Sequence, residues 1–483
     1  MNWVKRLGLI WWLFAAISLA QSGDLGILEI RLATPLTSYD TGSQKEFRAV
    51  VIAPLQGGDH IWLPAGTVVF GKIRHSTKVG IGIIHERASL ELDFDSYELA
   101  DGRRFSIAAK LVEVENAREE VTAAGKIKGI LAAANPQSLL GGFWHRPSTT
   151  LFQHSVIGLT GLTGRIWSGY SLGPVGAGAL FAARCLMFRM PEPEIQLPSG
   201  TEMKIRVTRL SEDAPSYPVP EDAILHDGMP EWLRDQPYSI TTKTGKATED
   251  LINVAFSGSR EQLKAAFQAA GWVEASRRTA RSVSHMYTAY SRQAGYAVAP
   301  ASKLKYEGAD PDLIFEKSFN TITKRHHVRI WRVERDGSEL WMGAATHDVG
   351  IAFQVAGMKF THKIDAEVDL ERSKIVNDLA FAGCAGPAAY VERAQAARAE
   401  SDANYTVTDG RIAFIPLTPC SESRKLEPDY RPKPPVSILL RVARRIILEG
   451  RQYAFRENPY YWAYRAVIWS RQESSYRRID PHD

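Results

Sequence analysis

The residues of this chain best suited to chemistry lie between Lys324 and Arg372, where four of its 12 histidines are mixed with tryptophan, arginine and acidic side chains. An apolar core does not need that mixture. Three neutral imidazoles and one open position are how proteins hold a catalytic zinc ion, and His326, His347 and His362 could form such a set. Their spacing matches no established metal signature such as H-E-x-x-H, so hydrogen-bonded or surface histidines remain the alternative.

Carboxylates and arginines beside these histidines could complete a hydrolytic site. Asp348 or Asp365 could act as a general base near a metal-bound water, and the planar guanidinium of Arg372 could bind an anionic group. Arg372 interrupts the apolar stripe of a predicted helix, so it could equally form an internal ion pair with Asp365, Asp369, Asp348 or Glu371. The candidate ligand or metal site is His326, His347, His362, Asp348 and Asp365. The candidate anion site or structural clasp is Arg329, Arg372, Asp369 and Glu371.

A β-hairpin and a helix would position these side chains. Residues 327–335 alternate as in a strand, and Asp336-Gly337 fits a two-residue type I′ turn. That turn would set His326 opposite His347, with Cβ atoms about 5 Å apart, where the two rings could share a metal or a phosphate-like anion. A bulge or a longer loop would shift the register and remove the pairing. Asp365 is predicted to cap the N-terminus of the following helix.

A strand and a capped helix precede the hairpin. Residues 251–256 are predicted to form the strand, and Ser259 with Gln262 forms a capping box. A serine beside glycine at such a junction can be a hydrolase nucleophile, but the segment FSGSR at 256–260 lacks the G-x-S-x-G pattern.

An ordered set of motifs runs through this part of the chain, namely INVAFSGSREQLKAAFQAAGW, KRHHVRIWRV, ELWMGAATHDVGIAF, FTHKIDAEVDLERSKIVNDLAFAG and YTVTDGRIAFI. On these motifs residues 250–416 resemble the LssY C-terminal domain family. The family is a bacterial domain, named from a secretion-associated locus, that often accompanies membrane or envelope modules. The resemblance implies a place in the cell and no defined reaction.

The N-terminal half is predicted to be an antiparallel β-barrel or sandwich, because apolar residues alternate from about residue 25 to 210. The segment IWLPAGT at 61–67 recurs as IQLPSGT at 195–201, which predicts two similar corners. With PLTSYDTGSQKEFRAVV and YELADGRRF, these motifs make residues 30–130 and 193–210 resemble the β-barrel domain of TrbI-like proteins. Those proteins are channel subunits of conjugation and type IV secretion machines.

The TrbI-like resemblance also implies an insertion. In that family a helical hairpin inserted near this point lines an outer-membrane pore. Residues 131–190 of this chain are a Gly-rich insertion. Small residues at such spacing let helices approach closely, but arginine and proline interrupt the run. A membrane-touching or self-associating hairpin and a mobile excursion from the barrel both remain open.

The N-terminus is predicted to be a secretory signal. Lys5 and Arg6 precede an apolar run at 7–19, and Ser18-Leu19-Ala20 offers a small-residue cleavage site. The run is shorter than the ~20 residues that span a bilayer, so cleavage is favoured over retention as an anchor. The protein is therefore expected to be exported, to the periplasm, the cell envelope or the medium.

Cysteine usage and charge bound the remaining possibilities. Of the three cysteines at 185, 384 and 420, Cys384 and Cys420 are the favoured disulfide pair, and three buried thiols are the alternative. The formal net charge of +5 over 483 residues is too mild to indicate nucleic-acid binding. The composition, with 45% hydrophobic and 23% charged residues, is that of ordinary globular domains.

The sequence predicts a multidomain chain with an N-terminal antiparallel β-barrel or sandwich, a C-terminal α+β domain and a C-terminal helical segment. The predicted boundaries are a signal peptide at 1–20, a barrel at 24–210, a Pro-rich linker at 211–249, the second domain at 250–420 and a basic, aromatic tail at 421–483. Residues 436–471 could lie on a membrane surface or dock on the protein itself.

The expected function is that of an exported cell-envelope protein that binds or assembles with other components. Its partners would be envelope or secretion-system proteins, or a membrane surface, and not nucleic acid. The alternative is a metal-dependent hydrolase that acts through the His/Asp/Arg cluster of the second domain. The sequence names no cofactor.

Overall fold

The structure of the chain is a computed structural model. It describes residues 24–39, 45–80, 85–130, 192–219, 229–242, 245, 247–276, 279–291, 295–302, 304–354, 359–393, 399–400, 405–420 and 437–451. The predicted signal peptide, the Gly-rich insertion and the aromatic part of the tail lie outside these residues.

Six antiparallel strands close into a barrel in the N-terminal half, which confirms the barrel prediction. The strands are β1 Gly26–Leu32, β2 Glu46–Val51, β3 Val68–Thr77, β4 Ser89–Glu98, β5 Arg104–Val114 and β6 Glu202–Leu210. Their order around the barrel is β3-β2-β1-β6-β5-β4, and β4 pairs back with β3. Side chains alternate between the two faces of a strand. In β1 this points Leu28, Ile30 and Leu32 into the core and leaves Glu29 and Arg31 on the outer face.

The two repeated corners have the same structure. Thr67 donates its hydroxyl to the Pro64 carbonyl at 2.8 Å, and Thr201 donates to Pro198 at 2.7 Å. The glycine before each threonine has φ of +89°, a conformation that L side chains rarely adopt. The sequence echo therefore marks a repeated turn that leads into β3 in one copy and into β6 in the other.

An eight-stranded sheet forms the second domain, as the α+β prediction requires. Its strands are β7 Val254–Ser257, β8 Val273–Glu274, β9 Leu313–Lys317, β10 Arg325–Arg335, β11 Ser338–Gln354, β12 Lys359–Ile364, β13 Ala389–Val391 and β14 Ile412–Pro416. The order is β8-β9-β10-β11-β7-β14-β13, with β12 paired to the far part of β11. The β7–β14 pair is parallel and the other pairs are antiparallel.

The helices of the described residues are α1 Arg260–Ala269, α2 Ala280–Ser291, α3 Val368–Phe381 and α4 Ile438–Arg451. One face of the second sheet packs on α1 and α3 through a core that includes Phe267, Phe315 and Ile375. The predicted capping box at the start of α1 is present. Among these helices none combines the length and apolar character needed to cross a membrane.

The opposite face of the second sheet packs against part of the segment predicted to be a linker. Leu233 and Ile240 join Trp331 and Met342 in one core cluster, and the Trp232 ring nitrogen donates to the Ser338 hydroxyl at 3.0 Å. Residues 229–242 therefore lie on the second domain.

Short elements complete the described fold. The short strands are Leu36–Thr37, Leu55–Gly57, His60–Leu63, Glu120–Val121, Ile127–Lys128, Gln196–Leu197, Tyr217–Pro218, Ser239–Thr241, Ala247–Leu251, Ala399–Glu400 and Tyr405–Thr406. A 3-10 helix spans Glu231–Asp235. The predicted Cys384–Cys420 disulfide is present and joins the residues after α3 to those after β14.

Candidate functional site

The β10–β11 hairpin has the predicted register. Asp336 and Gly337 both have positive φ, 50° and 74°, as a type I′ turn requires. Arg335 pairs with Ser338, and the unbroken ladder brings His326 opposite His347. The two imidazole rings stack with centroids 4.1 Å apart and planes inclined by 23°.

The two histidines meet the outer face of the barrel at its boundary with the second domain. In the barrel, Arg31 of β1 pairs with Glu202 of β6, and Glu29 pairs with Lys204. Strand alternation places these side chains outside the barrel core, next to Glu115 at the end of β5. The second domain covers this face, so that Glu202 is only 7% exposed.

The second domain supplies the countercharges. Lys374 of α3 places its Nζ 2.7 Å from Glu202 Oε2 and 3.1 Å from Glu115 Oε2. Lys317, at the end of β9, lies 2.6 Å from Glu202 Oε1 and 2.8 Å from Asp378 Oδ2. These contacts, together with the histidine pair, build an interdomain charge cluster. We use this name for Glu29, Arg31, Glu115, Glu202 and Lys204 of the barrel with Lys317, His326, Glu371, Lys374 and Asp378 of the second domain.

The cluster shifts the pKa of Glu202 and of Lys374 in the sense expected of buried ion pairs, whereas burial raises the pKa of Glu29. Burial would raise the pKa of Glu202, but the charges of Lys317, Lys374 and Arg31 hold it well below its usual range. Burial would lower the pKa of Lys374, but the surrounding carboxylates, Asp378 first, raise it well above its usual value. Both groups are therefore ionised at neutral pH.

The stacked histidines are driven to opposite protonation states. His326 places Nδ1 2.7 Å from Glu371 Oε2 and Nε2 3.5 Å from Glu115 Oε2. Burial opposes its protonation, but these two carboxylates raise its pKa to about 9. Burial and the charge on His326 lower the pKa of His347 to about 2. The pair is thus an imidazolium stacked on a neutral imidazole.

Asn116 fixes the tautomer of His347. The Asn116 amide donates Nδ2–H to the Lys317 carbonyl at 3.3 Å, so its Oδ1 faces His347 Nε2 at 3.1 Å. An amide oxygen only accepts hydrogen bonds. Neutral His347 therefore carries its proton on Nε2 and donates it to the barrel. Asn116 has a φ of 50°.

Charge balance supports the protonated state of His326. The cluster as defined contains five carboxylates, which are Glu29, Glu115, Glu202, Glu371 and Asp378. Its permanent cations are four, namely Arg31, Lys204, Lys317 and Lys374. An unpaired buried charge is costly, and with all five carboxylates ionised a proton on His326 brings the two counts level. His326 thus works as the fifth cation. Burial raises the pKa of Glu29, and Lys204 also lies 3.4 Å from Glu113, outside the cluster as defined.

A metal fits this arrangement poorly. Ligand atoms of His326, His347 and Glu371 all lie within 4.8 Å of one another, and tetrahedral zinc with bonds near 2 Å holds its ligands about 3.4 Å apart, so it is the orientation of the rings that opposes a metal. Ring nitrogens bind metals in the ring plane, and two stacked rings do not aim their lone pairs at one point. Both nitrogens of His326 already face carboxylates.

The strand register does not bring the backbone of His362 next to His326 and His347. Its backbone pairs with Ile351, which lies four residues beyond His347 on β11, or about 13 Å along a strand. The His362 side chain lies outside the described residues, so the three-histidine site stays a prediction. Glu371, predicted as part of a clasp, is the residue that accompanies the two stacked rings.

Two other predicted site residues, Asp348 and Arg329, lie in buried ion pairs of the second domain. Asp348 lies 3.0 Å from Arg325 Nε, and Arg325 also contacts Glu316 at 3.1 Å. Burial raises the pKa of Glu316 to about 7, against the charge of Arg325. Arg329 lies 2.6 Å from Asp250 Oδ2. The charges of Arg325, Asp348 and Arg329 all act on Glu316, so these groups form one buried charge network within the second domain.

Arg372 forms the predicted clasp with a partner that sequence reasoning missed. Its guanidinium binds both carboxylate oxygens of Asp409, at 2.7 and 2.9 Å, and the Arg411 carbonyl at 2.8 Å. The expected contact with Asp369 is also present, at 3.2 Å. Arg372 therefore ties α3 to the turn before β14.

The predicted cap at Asp365 is wrong. The α3 helix begins at Val368 with Glu367 as the N-cap residue, and no side chain caps it. The Asp365 backbone N–H still donates to the His347 carbonyl at 2.8 Å, so the strand ladder continues past Ile364 and delays the helix. The Asp365 carboxylate accepts instead from the Glu367 N–H at 3.1 Å.

The features above define a chain with a closed six-stranded barrel clamped by buried charges to an α+β domain. The family model described as LssY C-terminus matches residues 233–412, from the 3-10 helix to the first residue of β14. This second domain is an LssY C-terminal domain, and the match does not extend to the barrel. No curated protein matches the chain. The TrbI-like resemblance of the barrel stays a prediction.

Proposed function

We propose that this chain is an exported cell-envelope protein that binds or assembles with other components rather than catalysing a reaction. The observation that carries the proposal is that the candidate ligand residues brought together by the fold are buried in contacts with other protein side chains. His326 and Glu371 are 1% and 3% exposed, and each faces a charged partner at the boundary between the two domains.

A catalytic base or metal ligand needs an atom within reach of a substrate. In the interdomain charge cluster such atoms face other protein charges. Ligand sites in proteins are usually concave, with a few convergent polar groups. A cavity of about 440 Å³ lies at the barrel, lined by residues that include Leu25, Trp62 and Arg209, and its lining contains none of the candidate histidines.

The cluster also supports a role in assembly, because it fixes one domain against the other. Arg31 and Glu202 of the barrel meet Lys317, Lys374 and Asp378 of the second domain within 4 Å. Removing one member of such a buried pair costs about 3–5 kcal/mol. A barrel and an LssY C-terminal domain held at one orientation present a fixed surface to a partner.

The sequence of the N-terminus supports export. A fusion of residues 1–45 to a β-lactamase without its own signal tests this part of the proposal. We expect resistance to a β-lactam, which requires enzyme outside the cytoplasm. Ile10→Asp with Leu13→Asp breaks the apolar run and serves as the control that should abolish resistance. A sensitive strain that contains full-length fusion in its cytoplasm would contradict export.

A metal-dependent hydrolase is the second candidate, favoured by the proximity of His326, His347 and Glu371. The purified full chain separates the two functions. We expect no stoichiometric zinc, manganese or iron by elemental analysis, and no turnover of generic phosphoesters or esters. One bound metal per chain, with turnover that disappears together with the metal in His326→Gln, would establish the hydrolase and overturn the proposal.

A further inference from the structure

Helix α4 docks on the barrel through its charged side. The Arg444 guanidinium binds the Gly80 carbonyl and lies 2.8 Å from Glu192 and 3.0 Å from Glu194. One turn later Leu448, 3% exposed, joins the barrel core. Residues four apart lie on the same face of a helix, so these two contacts define the side of α4 that faces the barrel.

The apolar side of α4 faces away from the protein. Its exposed apolar residues are Ile438 (69%), Leu439 (78%), Leu440 (61%), Val442 (51%), Ile446 (59%) and Ile447 (43%). At ~100° per residue they occupy an arc of about 200° centred opposite the line from Arg444 to Leu448. A surface helix ordinarily buries its apolar stripe and exposes its charges. Helix α4 instead turns the side with Arg444 towards the barrel and exposes its apolar residues.

We propose that this outward face lies on the surface of an anionic lipid bilayer, with α4 parallel to the membrane plane. The charge of the segment suits that partner, because residues 438–471 contain seven arginines, two glutamates and no aspartate or lysine. The exposed Arg441 lies about 60° beyond one edge of the apolar arc, where its guanidinium group would meet lipid phosphates. A helix of 14 residues is about 21 Å long, too short to cross the bilayer.

The sequence after α4 points to the same partner. Tyr453, Phe455, Tyr460, Tyr461, Trp462, Tyr464 and Trp469 follow within 20 residues. Tyrosine and tryptophan concentrate at membrane–water interfaces, where the ring meets the acyl region and the polar atom meets water. An apolar groove on another protein would suit the apolar arc only if acidic residues lined its rim to meet the arginines beside it.

Flotation of the full-length protein with vesicles tests the proposal. We expect binding to phosphatidylcholine vesicles that contain about 30% phosphatidylglycerol, and weak binding to phosphatidylcholine alone. Leu439→Asp with Ile446→Asp should lower partitioning at least about tenfold, because it removes two exposed apolar side chains and adds two negative charges. Leu370→Asp with Val407→Asp is the matched control, since these two side chains are 57% and 47% exposed on the second domain.

Hydrogen–deuterium exchange measures the protection of the α4 amides directly. It therefore distinguishes lipid binding by α4 from lipid binding by the apolar N-terminal segment. Amides of residues 438–448 should gain protection when anionic vesicles are added. Unchanged exchange in α4, or equal partitioning of the double variant and the parent, would overturn the proposal. Protection that appears without lipid and grows with protein concentration would assign the face to a second copy of the chain and overturn it as well. Neither outcome bears on the export test.

Discussion

Replacement of Lys374 by methionine should be among the most destabilising single substitutions in this chain. Methionine preserves most of the side-chain volume, so the main change is the loss of one buried charge. Lys374 is 3% exposed and lies within 4 Å of four carboxylates, those of Glu29, Glu115, Glu202 and Asp378. The substitution leaves this group with one uncompensated negative charge.

The expected loss of unfolding free energy is about 3–5 kcal/mol, the range for breaking a buried ion pair by removing one partner. A second change tests the cause. Glu202→Gln in the Lys374→Met background restores neutrality, so the double variant should lose at least about 1.5 kcal/mol less than the sum of the single variants. The Glu202→Gln side chain keeps the shape of the glutamate, and its amide oxygen can still accept a hydrogen bond from Arg31.

Urea unfolding followed by tryptophan fluorescence and circular dichroism at pH 7 provides the measurement. The control is Lys264→Met, because Lys264 forms a 2.9 Å pair with Glu274 in which both side chains are at least 36% exposed. That surface pair should contribute about 1 kcal/mol or less. If Lys374→Met costs no more than the control, the cluster does not hold the two domains together.

Three further predictions follow from the same contacts. The free energy of unfolding should fall as the pH rises from about 6.5 to 9, because folded His326 keeps its proton up to a pKa of about 9 while the unfolded residue loses it near 6.5. The protonated histidine contributes about 3 kcal/mol. His326→Gln should flatten this part of a profile of urea stability against pH, and an unchanged slope would contradict the raised pKa. Arg372→Lys cannot bind both oxygens of Asp409 and should cost about 1 kcal/mol, since Asp409 is partly exposed; the exposed Arg332→Lys is its control, and equal urea midpoints would refute the clasp. Cys420→Ser opens a loop with a sequence separation of 36 residues and should lower stability by about 3–4 kcal/mol on the chain-entropy account, which an unchanged thermal midpoint in oxidised protein would exclude.

The features that sequence reasoning predicted are those that local rules control. The Asp336-Gly337 turn fixed the hairpin register through ten residue pairs, from Arg335–Ser338 to His326–His347. The alternation of apolar residues identified the barrel strands, and the repeated Pro-x-Gly-Thr segment marked its two corners. The cap at Ser259 needed only the residue three positions later. In each case the residues that decide the structure are neighbours along the chain or along one ladder.

The interdomain charge cluster was missed because its members come from positions 29 to 378 and meet only after two domains pack. Alternating charges on the outer face of barrel strands, such as Glu29 and Arg31, are the usual signature of a solvated surface. One signal was available, since Lys374 and Asp378 stand one turn apart on α3, beside the buried Ile375 and Leu379. Charges next to an apolar stripe indicate a second covered face.

We infer that buried charges at this boundary select one orientation of the two domains. An apolar contact tolerates sliding, because the transfer of apolar surface from water has no directional preference. In the cluster, a shift of α3 by one residue, about 1.5 Å, would move Lys374 off the oxygens of Glu202 and Glu115 that it meets at 2.7 and 3.1 Å. It would also part His326 from Glu371. His326 and His347 were predicted as metal ligands. A role in setting how the LssY C-terminal domain sits on the barrel is enough to explain both of them.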